Sequence, residues 1–337
     1  MRAAVYLGAG RLELQDWPEP RVGSGERLLR LRGCGLCGSD IAKVAHDTAI
    51  PPAVLGHEVV GDVVEVAPGG ARGFRRGDRV VVAHHVPCFD CHYCRRGSPS
   101  MCRGFKRLNL DPGGFAEILR VPAPNVTHAT FRLGPGLTDE TASFTEPLAC
   151  CLRAVKRSRA GTGDTVLVVG LGSIGCLLVQ GFRLAGARVF GADLLAPRRH
   201  LAATFGAEVF EDEAALAAAL AEATEGRGVD VVVLTAGGAA AVGAAAAAVR
   251  DGGQVHCFAG GGAGPLPVPL DTVYHRELTI TATYSASPAE LAEAFAHLES
   301  GRVAVEGLIT HRLPLARLAE AVTLMRRQEA VKVYATP

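Results

Sequence analysis

Cys88, Cys91, Cys94 and Cys102 fall within one short stretch, separated by two, two and seven residues. Four thiolates at such spacing can close a tetrahedral shell around Zn²⁺. A closed shell leaves no position for a substrate, so the expected role is structural, stapling a loop that lacks its own core. An iron–sulfur cluster also takes four cysteines, but the ferredoxin run has three residues before its last cysteine and then a proline. Here there are seven, and Arg103 follows. Disulfides need an oxidising compartment. The start, Met1-Arg2-Ala3-Ala4-Val5-Tyr6, reads as a strand and lacks the long apolar core of a secretory signal. The expectation is therefore a cytoplasmic protein with reduced thiols. His84, His85 and His92 are expected to be bystanders.

A second constellation is Gly170-Leu171-Gly172-Ser173-Ile174-Gly175, which fits G-x-G-x-x-G. It follows an apolar run and opens a helical pattern, the context such a motif requires. Gly170 permits a tight turn, Gly172 lets a pyrophosphate approach the backbone, and Gly175 lets helix and strand pack closely. The helix start offers free N–H groups and a positive dipole end to phosphate. Asp193 ends the next strand, 23 residues after Gly170. An acid there can accept the adenosine ribose hydroxyls and repels a 2′-phosphate, which favours NAD over NADP. Arg198 and Arg199 follow closely, and an arginine could pair with that phosphate.

A third set is scattered. Cys37 sits in Gly35-Leu36-Cys37-Gly38-Ser39-Asp40, His57 and Glu58 in Gly56-His57-Glu58-Val59-Val60-Gly61, and Glu146 in Thr145-Glu146-Pro147-Leu148-Ala149. A catalytic zinc takes three protein ligands and one exchangeable position. Singly each motif is weak, and Cys34-x2-Cys37 also reads as a redox pair.

These motifs need elements to hold them. Up to about residue 145 the chain reads as short strands and turns, including 28–32, 61–66 and 79–83, broken at Pro18, Pro20, Pro51-Pro52 and Pro68-Gly69-Gly70. Beyond that, strands over 164–169, 187–192, 229–234 and 253–259 alternate with helices to about 186 and about 205. Two Ala-rich stretches, 214–223 and 239–249, lie between them. That alternation implies parallel βαβ units. The tail returns to helical periodicity over 288–295 and 313–325 and closes as a strand over 330–335. A formal charge of +1 and the lack of a basic run give no footprint for nucleic acid. The uncharged stretch 165–182 nearly reaches membrane-spanning length, but its three central glycines fit a buried strand turning into a buried helix.

Taken together, the three sets resemble the zinc-containing medium-chain alcohol dehydrogenase superfamily, most nearly its sorbitol (iditol) and threonine dehydrogenase branches. The likeness runs the whole chain, including Asp271-x3-His275-x-Glu277-Leu278-Thr279 and Thr310-His311-Arg312-Leu313-Pro314-Leu315. The resemblance implies an α/β chain with two domains. One is a GroES-like β-rich catalytic domain over 1–146 that takes back 284–337. The other is a doubly wound Rossmann domain with a parallel sheet over 147–283. It implies two zinc ions per chain, one catalytic and one structural. Cys37, His57 and Glu58 match catalytic zinc ligands. Glu146 matches a glutamate that binds zinc directly or through its water. Asp40 matches a partner orienting His57, and Ser39 a group passing the substrate hydroxyl proton. Ser173, Ile174, Asp193 and Arg198 fall at cofactor contacts.

Two positions depart from the family pattern. Ala42 stands where a relay histidine is common, with Lys43 and His46 nearby, leaving water or the ribose hydroxyl to carry the proton. Thr283-Tyr284 stands where sorbitol dehydrogenases have Arg-Tyr, which argues against sorbitol itself. The expected activity is reversible NAD-dependent oxidation of a secondary alcohol or polyol by a homotetramer or dimer. Alternatives are a threonine-like amino-alcohol or sugar-phosphate dehydrogenase, an NADP-dependent alcohol dehydrogenase, and a non-catalytic nucleotide-binding redox sensor.

Overall fold

The computed structural model describes residues 1–68, 73–260 and 265–337, so the Pro68-Gly69-Gly70 break lies partly outside the described residues. The chain divides into two compact units, one of Met1–Ala149 with Ala286–Pro337, the other of Cys150–Ser285. The boundary falls inside a helix over Thr145–Ser158 that no periodicity in the sequence had announced.

In chain order the first unit contains β1 (Arg2–Gly8), β2 (Arg11–Asp16), β3 (Arg27–Gly35), a helix α1 (Gly38–Ala45), β4 (Ala53–Val54), β5 (Glu58–Val66), β6 (Arg79–Val82), β7 (Ile118–Val121) and β8 (Thr130–Arg132). The second unit contains β9 (Thr165–Val169), β10 (Arg188–Ala192), β11 (Glu208–Val209), β12 (Val229–Leu234), β13 (Val249–Cys257) and β14 (Thr279–Ala282). The tail adds β15 (His311–Pro314) and β16 (Val333–Thr336).

The first unit holds two sheets, a three-stranded one in the order β2-β1-β4 and a seven-stranded one in the order β15-β16-β3-β5-β6-β8, with β7 also pairing β3. Alternation explains the strands: β3 buries Leu29 and Leu31 and β5 buries Val59 and Val63, while Arg30 and Arg32 stay exposed. Both faces meet fully buried Phe115 and Leu119. Each such side chain contributes about 1.5–3 kcal/mol on burial. The tail is part of this core. β16 runs antiparallel to β3, with Tyr334 opposite Gly35 and Ala335 opposite Cys34. This register brings residue 332 beside the β3–β5 pair.

The second unit is one six-stranded parallel sheet in the order β11-β10-β9-β12-β13-β14. This is the doubly wound order, and its switch point lies between β9 and β12. The uncharged stretch resolves as β9 and a helix over Ser173–Leu184, and no helix among the described residues is long and apolar enough to cross a membrane. The Ala-rich stretches form helices over Glu213–Ala223 and Gly238–Ala248, the second burying Val242, Ala245 and Ala246. Two expectations are corrected. β13 starts at Val249 rather than at 253, and 313–325 is not one helix: it opens as the end of β15 and a 3₁₀ turn before a helix over Leu318–Arg326.

Candidate active site

Cys37 is the N-cap of α1, with extended backbone, and its sulfur accepts from the Ser39 N–H at 3.5 Å. Asp40 closes the reciprocal bond, its Oδ2 accepting from the Cys37 N–H at 3.3 Å. The helix start therefore fixes both sulfur and carboxylate, and its free N–H groups favour a thiolate. On the other side, Gly56 adopts φ +90°, and a Cβ there would lie 2.9 Å from the Phe115 ring. Only glycine lets the chain turn here and present His57 and Glu58 at the start of β5. The Gly56 N–H donates to Asp40 Oδ1 at 3.3 Å, and His57 Nδ1 lies 3.4 Å from the same oxygen.

Cys37, His57 and Glu58 each offer one ligand atom, and the three atoms lie within 4.8 Å of one another. The electrostatics fit a cation. Burial works against a proton on His57, but Asp40 and Cys37 outweigh it and hold the ring well above the ordinary histidine range. Asp40, whose burial works the other way, is drawn below the ordinary carboxylate range mainly by His57. Both pulls show a buried site that favours positive charge where the imidazole stands. With Nδ1 turned to Asp40, the other ring nitrogen is free to be a ligand. Glu58 Oε2 is buried and accepts no hydrogen bond, an orphaned anionic lone pair of the kind a metal satisfies.

Glu146 is buried in the first turn of the Thr145–Ser158 helix, outside the group of three. Ser39 is exposed beside Cys37, and Ala42 is exposed on the same helix. His84 and His85 follow β6 and lie against the site, with the His84 ring centroid 4.5 Å from His57 and 3.7 Å from His85. Sequence reasoning set them aside, and only the end of β6 brings them here. Lys332 was missed altogether. It is 3% exposed, and its ammonium reaches Glu58 Oε1 at 2.6 Å. A lone charge in an apolar closing strand is the signal that could have found it, since a buried lysine must be paired.

The four clustered cysteines also converge within 4.8 Å. Cys91 and Cys94 sulfurs are 3.5 Å apart, as are those of Cys88 and Cys102. Sulfurs bonded tetrahedrally to one zinc would stand about 3.8 Å apart. Burial raises the Cys102 thiol, but N–H groups of Cys88 and Phe105 outweigh it and bring it down to about 6. Burial and neighbouring sulfurs push Cys94 up to about 12. Four thiolates cannot coexist here without a cation, and the donor set is that of a closed zinc site. His92 is not in the group.

At the dinucleotide turn, Gly170 has φ +90°, with a notional Cβ 2.4 Å from Thr235 Oγ1. Gly175 has no room for a side chain, since a Cβ would sit 2.0 Å from the Gly170 carbonyl oxygen. At Gly172 a Cβ meets nothing within 4 Å, so the surface there is open. Ser173 and Ile174 are half-buried in the first turn of the Ser173–Leu184 helix. Asp193 Oδ2 accepts from the Leu171 N–H at 2.7 Å and Oδ1 from the Leu195 N–H at 2.8 Å, locking the acid to the turn. Arg198 Nη1 stands 3.9 Å from Asp193 Oδ2, whereas Arg199 donates to the carbonyls of Asp193, Leu194 and Glu211. Tyr284 is exposed, and Arg153 donates to its carbonyl at 2.9 Å, so that arginine holds backbone.

The model of the alcohol dehydrogenase GroES-like domain matches residues 23–130, and that of zinc-binding dehydrogenases matches residues 173–300. A sorbitol dehydrogenase of Halalkalibacterium halodurans is 30% identical, covering 100% of this chain and 99% of its own. An L-threonine 3-dehydrogenase of Pyrococcus furiosus is 32% identical over 95% of this chain and 94% of its own. A zinc-binding dehydrogenase from Sinorhizobium meliloti, solved bound to NADP, superposes with a TM-score of 0.88 at 29% identity, covering 100% of this chain and 99% of that one.

Proposed function

We propose a substrate class and a mechanism for this chain, which belongs to the zinc-containing medium-chain alcohol dehydrogenase superfamily. It is an oxidoreductase acting on alcohols, with a GroES-like and a Rossmann-type domain. Our reading is reversible hydride exchange between the carbinol carbon of a secondary alcohol or polyol and NAD. The observation that carries it is the convergence of Cys37, His57 and Glu58 at the end of β3 and the start of β5.

A zinc ion held by Cys37 and His57, with Glu58 or Glu146 completing the set, would supply a Lewis acid for the substrate oxygen. A second ion at Cys88, Cys91, Cys94 and Cys102 would be structural. The chain does the rest. Asp40 keeps the His57 ring turned and electron-rich. Ser39, exposed beside the sulfur, takes the hydroxyl proton outward, and Ala42 leaves water or the ribose hydroxyl to carry it on. Gly172 and the N–H groups of the following helix turn receive the pyrophosphate. Asp193 accepts from the adenosine ribose. The Glu146-Pro147-Leu148-Ala149 run and the sorbitol dehydrogenase relative support a polyol, and Tyr284 without a neighbouring arginine argues against sorbitol. The reading includes a homotetramer or dimer in the cytoplasm, a setting supported by four free clustered thiols that a reducing compartment keeps ready for metal.

The test is reduced-nicotinamide formation across polyols, simple secondary alcohols, sugar phosphates and threonine, with NAD and with NADP. Turnover of polyols or secondary alcohols with NAD is expected. A preference for threonine or for sugar phosphates overturns the substrate class, and silence on every alcohol overturns the mechanism.

The dinucleotide preference has its own test. Asp193→Ser removes the charge that a 2′-phosphate would meet and frees Arg198, 3.9 Å away, to pair with it. Hydrogen bonds to charged groups are worth about 1.5–3 kcal/mol. The ratio of kcat/KM for NAD over NADP is therefore expected to fall by about tenfold or more. An unchanged ratio would show that Asp193 serves only the turn.

A further inference from the structure

Nothing in the reaction as derived uses Lys332, yet the fold goes to some length to bury it. Both carboxylate oxygens of Glu58 face its ammonium, Oε1 at 2.6 Å and Oε2 at 2.5 Å, but only Oε1 accepts an aligned hydrogen bond. Lys332 is 3% exposed and Glu58 1%. The ammonium also stands 5.8 Å from the centre of the Phe144 ring, two residues before Glu146. Room for the pair comes from Gly35, which faces Glu58 in one register and Tyr334 in the other. A Cβ at Gly35 would lie 1.9 Å from Glu58 Oε2 and 3.0 Å from Lys332 Cε. Three strands thus meet around one buried ion pair, and one member of that pair belongs to the candidate metal group.

We propose that Lys332 is a positioning residue that makes Glu58 an exchangeable ligand of the candidate catalytic metal, leaving Cys37 and His57 as the firm ones. The inference rests on the reading that a metal sits at Cys37 and His57. The geometry divides the work of one carboxylate. Oε1 is committed to Lys332, while Oε2 keeps a free lone pair toward Cys37 and His57. A cation on one side of the carboxylate weakens its pull on a cation at the other. A ligand held this way can withdraw toward the β16 strand when a substrate oxygen needs the position.

The experiment compares the zinc- and cobalt-loaded whole protein with its Lys332→Met and Lys332→Arg forms. Chelator competition reads the affinity of the less accessible ion, and the visible bands of Co²⁺ read its coordination. Outer partners of ligands tune affinity or activity by about 10–100-fold. Lys332→Met is expected to bind zinc about tenfold tighter, to change the cobalt bands, and to lower kcat about tenfold with little change in KM. Lys332→Arg should recover all three toward wild type. Should Lys332→Met fail to fold, the double variant Lys332→Met with Glu58→Gln removes both charges together. It should fold, and it should lose the zinc affinity that Lys332→Met alone would gain. Wild-type affinity and cobalt bands in a folded Lys332→Met protein would overturn the inference. A wild-type protein that takes up zinc only at the four cysteines would instead overturn the reading beneath it.

Discussion

His57→Ala is expected to abolish alcohol oxidation while leaving dinucleotide binding intact. The imidazole is 6% exposed and is the one neutral donor among the three side chains that converge at the start of β5. Its loss leaves Cys37 and Glu58, of which Glu58 is already engaged with Lys332. Two ligands of that kind do not hold a catalytic zinc. Lewis-acid stabilisation is worth several kcal/mol, so a loss of about 4 kcal/mol corresponds to about a thousandfold in kcat/KM. The dinucleotide turn lies in the other compact unit, held by Gly170, Gly175 and Asp193, none of which contacts His57. Fluorescence titration with NADH should therefore give a wild-type Kd, and metal analysis should find one zinc instead of two. Cys37→Ser should behave alike. Asp40 keeps its bonds from the Cys37 and Gly56 N–H groups, so the fold of the turn is expected to survive. Wild-type turnover by either variant would remove the catalytic-metal assignment.

What could be read in the sequence follows from how local each signal is. The dinucleotide turn was legible because strand, glycines and helix are contiguous, and the acid at 193 falls at the end of the next strand. The cysteine loop was legible for the same reason. By contrast, the Thr145–Ser158 helix was not, because its apolar positions are filled by Cys150, Cys151 and alanines that carry no clear period. Lys332 was invisible for a different reason. Its meaning depends on β16 pairing with β3, a contact between residues some three hundred apart along the chain, roughly the longest kind of contact a sequence pattern fails to record. His84 and His85 were discounted as strand-end side chains. They are that, but β6 happens to end beside His57 because it pairs with β5, Val82 opposite Val59.

The loop from Cys88 to Cys102 yields the other large effect. Cys91→Ser is expected to release one zinc, to lower the melting temperature, and to leave residual turnover in the protein that stays folded. The loop has few other anchors. Phe105 is fully buried, and His85 Nδ1 donates to the Leu108 carbonyl at 2.7 Å, but Phe89 and Tyr93 point to solvent. Structural zinc in peptides carries about 10–16 kcal/mol of folding free energy. Here the surrounding sheets stand without the ion, so only about 3 kcal/mol is expected to be lost, and a melting temperature lower by roughly 6–12 °C follows for a unit of this size. A serine at 91 also withdraws the sulfur that lies 3.5 Å from Cys94. The remaining thiols then lose the cation that lets them ionise together, and Cys94, held up to about 12, stays protonated. Acidification should act the same way on the wild-type protein. As pH falls the thiolates take up protons, zinc leaves, and the stability it lent is lost. Differential scanning calorimetry with zinc released to a colorimetric chelator reads both changes at once. If Cys91→Ser keeps its second zinc and its melting temperature, the four sulfurs are not a metal staple and the loop holds by its apolar anchors alone.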